Sequence, residues 1–183
     1  MPIAVLTAFL IAVESGAPII FRQERVGLHG KTFHILKFRS MRRDAEEDGR
    51  PRWASIGDAR VTSLGRVLRR SRIDELPQLW NILKGEMSLV GPRPCLFSQK
   101  ELIEARLALG VFDARPGITG LAQVLGIDMS SPALLARTDA RMLDSLSVKG
   151  YAGYVLRTLV GTGSGDRIRG RKPWSRSNRA KTR

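Results

Sequence analysis

The sequence predicts a helix-rich α+β domain with short strands. Three observations predict it. Apolar residues recur at helical spacing in several stretches that close on glycine or proline. Two short runs of strand character, Ile19 to Gln23 and Thr32 to Phe38, flank a glycine-bearing turn, the pattern of a hairpin. The chain has 183 residues and 43% apolar content, enough for one domain with its own core.

Met1 to Val13 is apolar apart from Thr7. A helix of that length would be roughly 20 Å long against a hydrocarbon core of about 30 Å, too short to span it. The stretch lacks the basic leader and cleavage site of a signal peptide. In the hairpin turn, Gly27 and Gly30 are expected at positive φ. His34, with no second ligand at a metal-binding spacing, is expected at the surface. Lys37, Arg39, Arg42 and Arg43 form a basic cluster. Residues 44–60 are polar and mixed in charge, and read as a mobile loop able to cover a substrate. Trp53 within it is expected to anchor at a membrane interface or to pack back on the domain.

Arg60 to Arg72 is expected to be helical, burying Leu64, Val67 and Leu68. Ser71 is expected to cap a new helix, with Asp74 at its third position. Leu76, Leu79, Trp80 and Leu83 would be that helix's core face, and Gly85 its end. Met87 to Val90 reads as a strand and Gly91 to Pro94 as a rigid turn projecting Arg93. Lys100 to Leu109, Ser131 to Ser147 and Tyr151 to Val160 read as helices. The glycines between Arg115 and Gly120 are expected to let backbone approach a ligand closely.

The net charge of +14 implies an anionic partner, whether nucleic acid, phospholipid or nucleotide. Eight of the seventeen residues from Arg167 onward are basic, and removing them leaves +6. That stretch reads as a disordered basic tail, suited to an anionic leaflet. The lone cysteine, Cys95, excludes an internal disulfide, fits a reducing compartment and is expected to be buried and inert.

The chemistry-bearing stretch runs from Leu64 to Pro94. Asp74 and Glu75 stand side by side, with Arg66, Arg69, Arg70 and Arg72 before them and Lys84 and Arg93 after. Adjacent carboxylates repel unless a cation shares their site. A hard divalent cation would relieve the repulsion, and arginines suit phosphate. The same residues also fit an ordinary surface helix with weak intrahelical ion pairs.

The string RIDELPQLWNILKGEMSLVGPRP resembles the signature of the bacterial sugar transferases, the monotopic polyprenyl-phosphate phosphoglycosyl transferases. PIIFRQERVGLHGKTFHILKFRSM (Pro18 to Met41) and ARPGITGLAQV (Ala114 to Val124) resemble the same family, in the family's order and at similar spacing. The resemblance implies transfer of a sugar-1-phosphate from a UDP-sugar to a polyprenyl phosphate, with release of UMP, as a first membrane step in bacterial glycan assembly. It implies Asp74 as nucleophile, Glu75 as the ligand of Mg2+, and Lys37, Arg39, Arg72 and Arg93 as substrate-binding residues. It implies a monotopic protein on the cytoplasmic face of the inner membrane, in contact with anionic lipids and not with nucleic acid. Residues 1–14 are then the remnant of a re-entrant membrane helix broken at Pro2, in an N-terminally short chain. Residues 15–165 are the catalytic domain and residues 166–183 the tail. Asp139 matches an aspartate of the family pattern, but Met142 and Tyr151 depart from it, and no role is carried over there. Two rival classes are a membrane-associated scaffold with a decayed site and a basic nucleic-acid-binding module. The second leaves the Asp74–Glu75 pair unexplained and has few aromatics for base stacking.

Overall fold

The computed structural model describes residues 2–45 and 58–160. The segment containing Trp53, most of the expected loop, and the basic tail lie outside the described residues. The molecule is of mixed helix and strand. Helix α1 (Pro2–Ser15) leads into the hairpin of β1 (Ile20–Val26) and β2 (Thr32–Phe38). These strands pair antiparallel, with Ile20 opposite Phe38 and Val26 opposite Thr32. The turn between them uses left-handed backbone at His29 and Gly30, whereas Gly27 is extended (φ −114°). Gly27 is needed for space: a Cβ there would lie 2.9 Å from the Phe33 ring.

Helix α2 (Ser63–Ser71) is capped by Thr62, whose hydroxyl accepts from Gly65 N–H at 2.9 Å. Of its expected stripe Leu68 is buried, but Val67 is 61% exposed. Ser71 does not cap a new helix. Its hydroxyl donates back to the Val67 and Leu68 carbonyls, and Arg72 ends the helix in the left-handed region (φ 60°). A single 3-10 turn, Ile73–Glu75, follows, and then α3 (Gln78–Leu83) behind Pro77.

Helix α3 is inverted relative to expectation. Leu79, Trp80 and Leu83 are exposed, while Gln78 and Asn81 are buried. The reason is a polar seam to the hairpin. Asn81 Oδ1 accepts from Leu36 N–H at 3.0 Å, and Nδ2 donates to the His34 carbonyl at 2.8 Å and to Glu86 Oε2 at 2.7 Å. Leu76 alone of the expected face joins the core, against Ile11, Phe38 and Leu68.

The short strands β3 (Ser88–Val90) and β4 (Gly117–Thr119) pair in parallel. Their close approach accounts for two glycines, since a Cβ on Gly117 would lie 2.0 Å from Gly91 N. The glycines of the Arg115 to Gly120 segment therefore admit the chain's own backbone rather than a ligand. Helices α4 (Lys100–Ala108), α5 (Leu121–Leu125), α6 (Pro132–Asp144) and α7 (Val148–Leu159) complete the fold. Leu102, Phe112, Ala122, Leu135 and Ala136 pack with Val26 and Cys95 into the C-terminal core. Cys95 is fully buried, and burial raises its thiol pKa above the ordinary value although Arg106 opposes the shift. His34 is exposed and 3.8 Å from Glu24.

Candidate active site

Asp74 and Glu75 sit in the 3-10 turn between α2 and α3. At about three residues per turn their side chains diverge by about 120°, slightly more than in an α-helix. Both are buried, at 3% and 5% exposure, so the reading of an ordinary surface helix fails. Carboxylates are seldom buried without cations, because an isolated charge loses its hydration. Here the cations are Lys37 and Arg93. Lys37 Nζ lies 3.4 Å and Arg93 Nη2 3.1 Å from the same oxygen, Glu75 Oε1. The hairpin supplies one cation and the proline-flanked turn the other. Residues far apart in sequence thus converge on one carboxylate.

Arg93 is itself held from behind. Arg106 donates through Nη1 to the Arg93 carbonyl at 2.9 Å. Arg106 also donates through Nε (3.1 Å) and Nη2 (2.6 Å) to Asp139 Oδ2. Arg106 and Asp139 are 1% and 0% exposed. Burial raises the Asp139 pKa and Arg106 opposes that shift. No role follows for this pair from sequence alone, yet a signal was there. Arg106 follows the buried Leu102 by four residues and Asp139 follows Leu135 by four, so each charge stands on an apolar stripe.

An open cleft of about 890 Å3 runs along β1 and the end of β2, and Asp74 and Glu75 are not among its lining residues. Among the described residues its cations are Arg22, Arg25, Lys37, Arg39, Arg42, Arg43, Arg69 and Arg93, and no described aspartate or glutamate lines it. Ile19, Ile20, Phe21, Phe38 and Leu96 form apolar wall. Lys37 and Arg93 therefore face both the cleft and Glu75. Arg39 lines the cleft too, but its Nη2 donates to the Ser15 carbonyl and hydroxyl at 2.9 Å and to the Gly16 carbonyl, clasping the end of α1. Arg72 is half-buried as the left-handed residue before the dyad and is not on the cleft wall. The structure thus brings Glu75, Lys37 and Arg93 together with Asp74 buried beside Glu75 in the same turn, places Arg39 on the cleft wall, and leaves Arg72 off it. Gln78 went unnoticed in the sequence. It is 2% exposed and lines the cleft, and its Nε2 has no hydrogen-bond partner among the described residues.

The family model described as bacterial sugar transferase matches residues 1–163. The chain belongs to the bacterial sugar transferase family. Among curated members, the UDP-glucose:undecaprenyl-phosphate glucose-1-phosphate transferase of Caulobacter vibrioides is 50% identical over 129 residues, covering 69% of this chain and 48% of that protein. The UDP-N-acetylgalactosamine-undecaprenyl-phosphate N-acetylgalactosaminephosphotransferase of Aeromonas hydrophila is 45% identical over 126 residues, covering 68% of this chain and 30% of that protein. This bacterial sugar transferase therefore spans about half the length of these relatives or less. The two relatives are named for different sugars.

The carboxylates of this bacterial sugar transferase fit a magnesium ion in one specific way. Magnesium is commonly held by one or two carboxylates, with phosphate oxygens and water completing its octahedron. The dyad offers two adjacent carboxylates, joined through Lys37 and Arg93 on Glu75 to a cleft suited to phosphate, although neither carboxylate lines it. Among the described residues no group of three or more His, Cys, Asp or Glu side chains forms a closed metal cage.

Proposed function

We propose that the protein transfers a sugar-1-phosphate from a UDP-sugar to a polyprenyl phosphate and releases UMP. The observation that carries this reading is the buried Asp74–Glu75 pair, with Glu75 held by Lys37 and Arg93, two cations that also line a cleft of basic and apolar side chains. Such a cleft suits two anionic substrates, one of them with a hydrocarbon tail. The relatives' names pair the same two substrate classes.

In the proposed reaction a carboxylate oxygen of Asp74 attacks the sugar-proximal phosphorus. The P–O bond to UMP breaks as the Asp74–phosphorus bond forms, giving an aspartyl phosphosugar. Lys37 and Arg93 hold Glu75 in place and lend positive charge where the diphosphate lies. Arg72 holds the backbone turn that presents the dyad. Glu75 would hold magnesium, which would supply positive charge to the phosphate oxygens. A phosphate oxygen of the lipid then attacks the same phosphorus, and the Asp74–phosphorus bond breaks. The product is a polyprenyl diphosphate sugar, the starting unit of a bacterial glycan.

The exposed apolar side chains of α1 and α3 support work at a membrane surface. Val5, Phe9, Val13, Trp80 and Leu83 are all more than half exposed. No helix of the described residues is long and apolar enough to cross a membrane. A basic domain that lies on the leaflet from the cytoplasmic side, where UDP-sugars are made, is the arrangement we propose. The test is UMP release with magnesium, polyprenyl phosphate and a panel of UDP-sugars. Wild type is expected to release UMP with at least one sugar, and Asp74→Asn and Glu75→Gln each to lower the rate by on the order of a thousandfold. Full turnover by Asp74→Asn would remove that residue from the chemistry.

A further inference from the structure

The cleft has a second cationic end that the dyad does not use. Lys37 and Arg39 are two residues apart along an extended chain, so their backbones are roughly 7 Å apart and their side chains leave from the same face. Lys37 turns to Glu75, whereas Arg39 turns to the end of α1. Arg39 is 8% exposed. Its Nη2 serves Ser15 and Gly16, but its Nε and Nη1 have no hydrogen-bond partner among the described residues. Burying guanidinium donors without acceptors is costly, which is why such groups usually have partners.

Two further arginines stand at this end. Arg69 Nε donates to Ser40 Oγ at 2.8 Å, and a Cβ on Gly16 would lie 3.9 Å from Arg43 Nη1. Glu14, which adjoins Ser15 in sequence, is turned instead to Leu64 N–H at 2.9 Å. Arg42 is engaged by Asp44 at 2.8 Å. Burial, and then the nearby Arg43, lower the Arg39 pKa from its ordinary value, as expected where a guanidinium is desolvated beside another cation.

Apolar surface leads up to this cluster. Leu6, Phe9, Leu10 and Val13 recur at helical spacing on α1, are all at least 40% exposed, and end one turn from Ser15. Ile19, Ile20 and Phe38 continue the apolar wall inside the cleft. We propose that Arg39, Arg43 and Arg69 form a second phosphate site. It receives the phosphate of the lipid acceptor, whose hydrocarbon chain lies along the Leu6–Val13 face of α1. The inference rests on the transfer reading for the acceptor's identity and deepens it. Two separated phosphate sites allow the lipid to wait while the dyad holds the sugar phosphate, and keep its hydrocarbon chain away from the nucleotide.

The probe is farnesyl phosphate, titrated into the full chain in detergent, with farnesol, inorganic phosphate and UMP in parallel. Arg43 is exposed and Arg69 half-buried, so Arg43→Gln and Arg69→Gln are expected to fold. Each is expected to weaken farnesyl phosphate binding by on the order of tenfold, the loss of one charged hydrogen bond, and to leave UMP affinity unchanged. Farnesol and inorganic phosphate should each bind far more weakly than farnesyl phosphate. Unchanged farnesyl phosphate affinity in both variants would overturn the site, as would a parallel loss of UMP affinity or equal binding of inorganic phosphate. The wild-type UMP burst from UDP-sugar without acceptor is scored separately. Its absence would count against the transfer reading, while the titration still decides the site.

Discussion

Arg106 donates through Nη1 to the main-chain carbonyl of Arg93 at 2.9 Å, from within a buried pair with Asp139. The C-terminal helices α4 and α6 thereby fix the turn whose arginine reaches Glu75. The relation has a consequence for pH. Burial holds the Asp139 pKa above the ordinary carboxylate value in the folded protein. The folded state then binds a proton more readily than the unfolded state, so this group's contribution is present at low pH. It is lost as pH rises from the ordinary carboxylate range through the raised folded value. Asp139→Asn removes that titration. Urea unfolding of wild type and Asp139→Asn from pH 4 to 7 is expected to show a downward slope for wild type relative to the variant. Parallel stability profiles would contradict this.

Removing one side of the pair is a different perturbation. Arg106→Met leaves Asp139 buried without its cation, and such changes cost about 3–5 kcal/mol. Urea unfolding at pH 7 is the check. Loss of less than about 1 kcal/mol would mean that Arg106 holds little of the fold.

Asn81→Ala is expected to destabilise the protein by about 2–4 kcal/mol. It deletes the acceptor for Leu36 N–H and the donor to the His34 carbonyl, both across the α3–hairpin seam. The same loss should lower turnover, because this seam sets Lys37 on β2 against the turn that carries Glu75.

Leu83→Ser and Trp80→Ser are expected to change stability by no more than about 0.5 kcal/mol, since both side chains are exposed. Sedimentation with anionic vesicles should fall in both. Large destabilisation with unchanged vesicle binding would restore these residues to the core.

This contrast marks what could be read from sequence. The hairpin was legible because its two strands and turn are local, and α1 because its apolar run is long. The inversion of α3 was not. A six-residue helix carries barely one repeat of its pattern, and Leu79, Trp80 and Leu83 form the same stripe whether they face a core or a lipid surface. What holds Asn81 inward is the backbone of β2, a partner more than forty residues away. The β3–β4 pairing was hidden for the same reason, because strands of three residues have no periodicity and the glycines at 91 and 117 gain meaning only against each other. In the site, Asp74 and Glu75 stood out as a pair, and their burial under Lys37 and Arg93 required the fold.

The central claim is that Asp74 carries the phosphosugar covalently. Incubating the protein with magnesium and its UDP-sugar, without lipid acceptor, and taking an intact mass tests this most directly. A mass increase equal to one sugar phosphate is expected, located at Asp74 by peptide mapping, absent in Asp74→Asn and discharged by polyprenyl phosphate. Steady UMP release on full turnover with no adduct at any time, or the same adduct in Asp74→Asn, would contradict it.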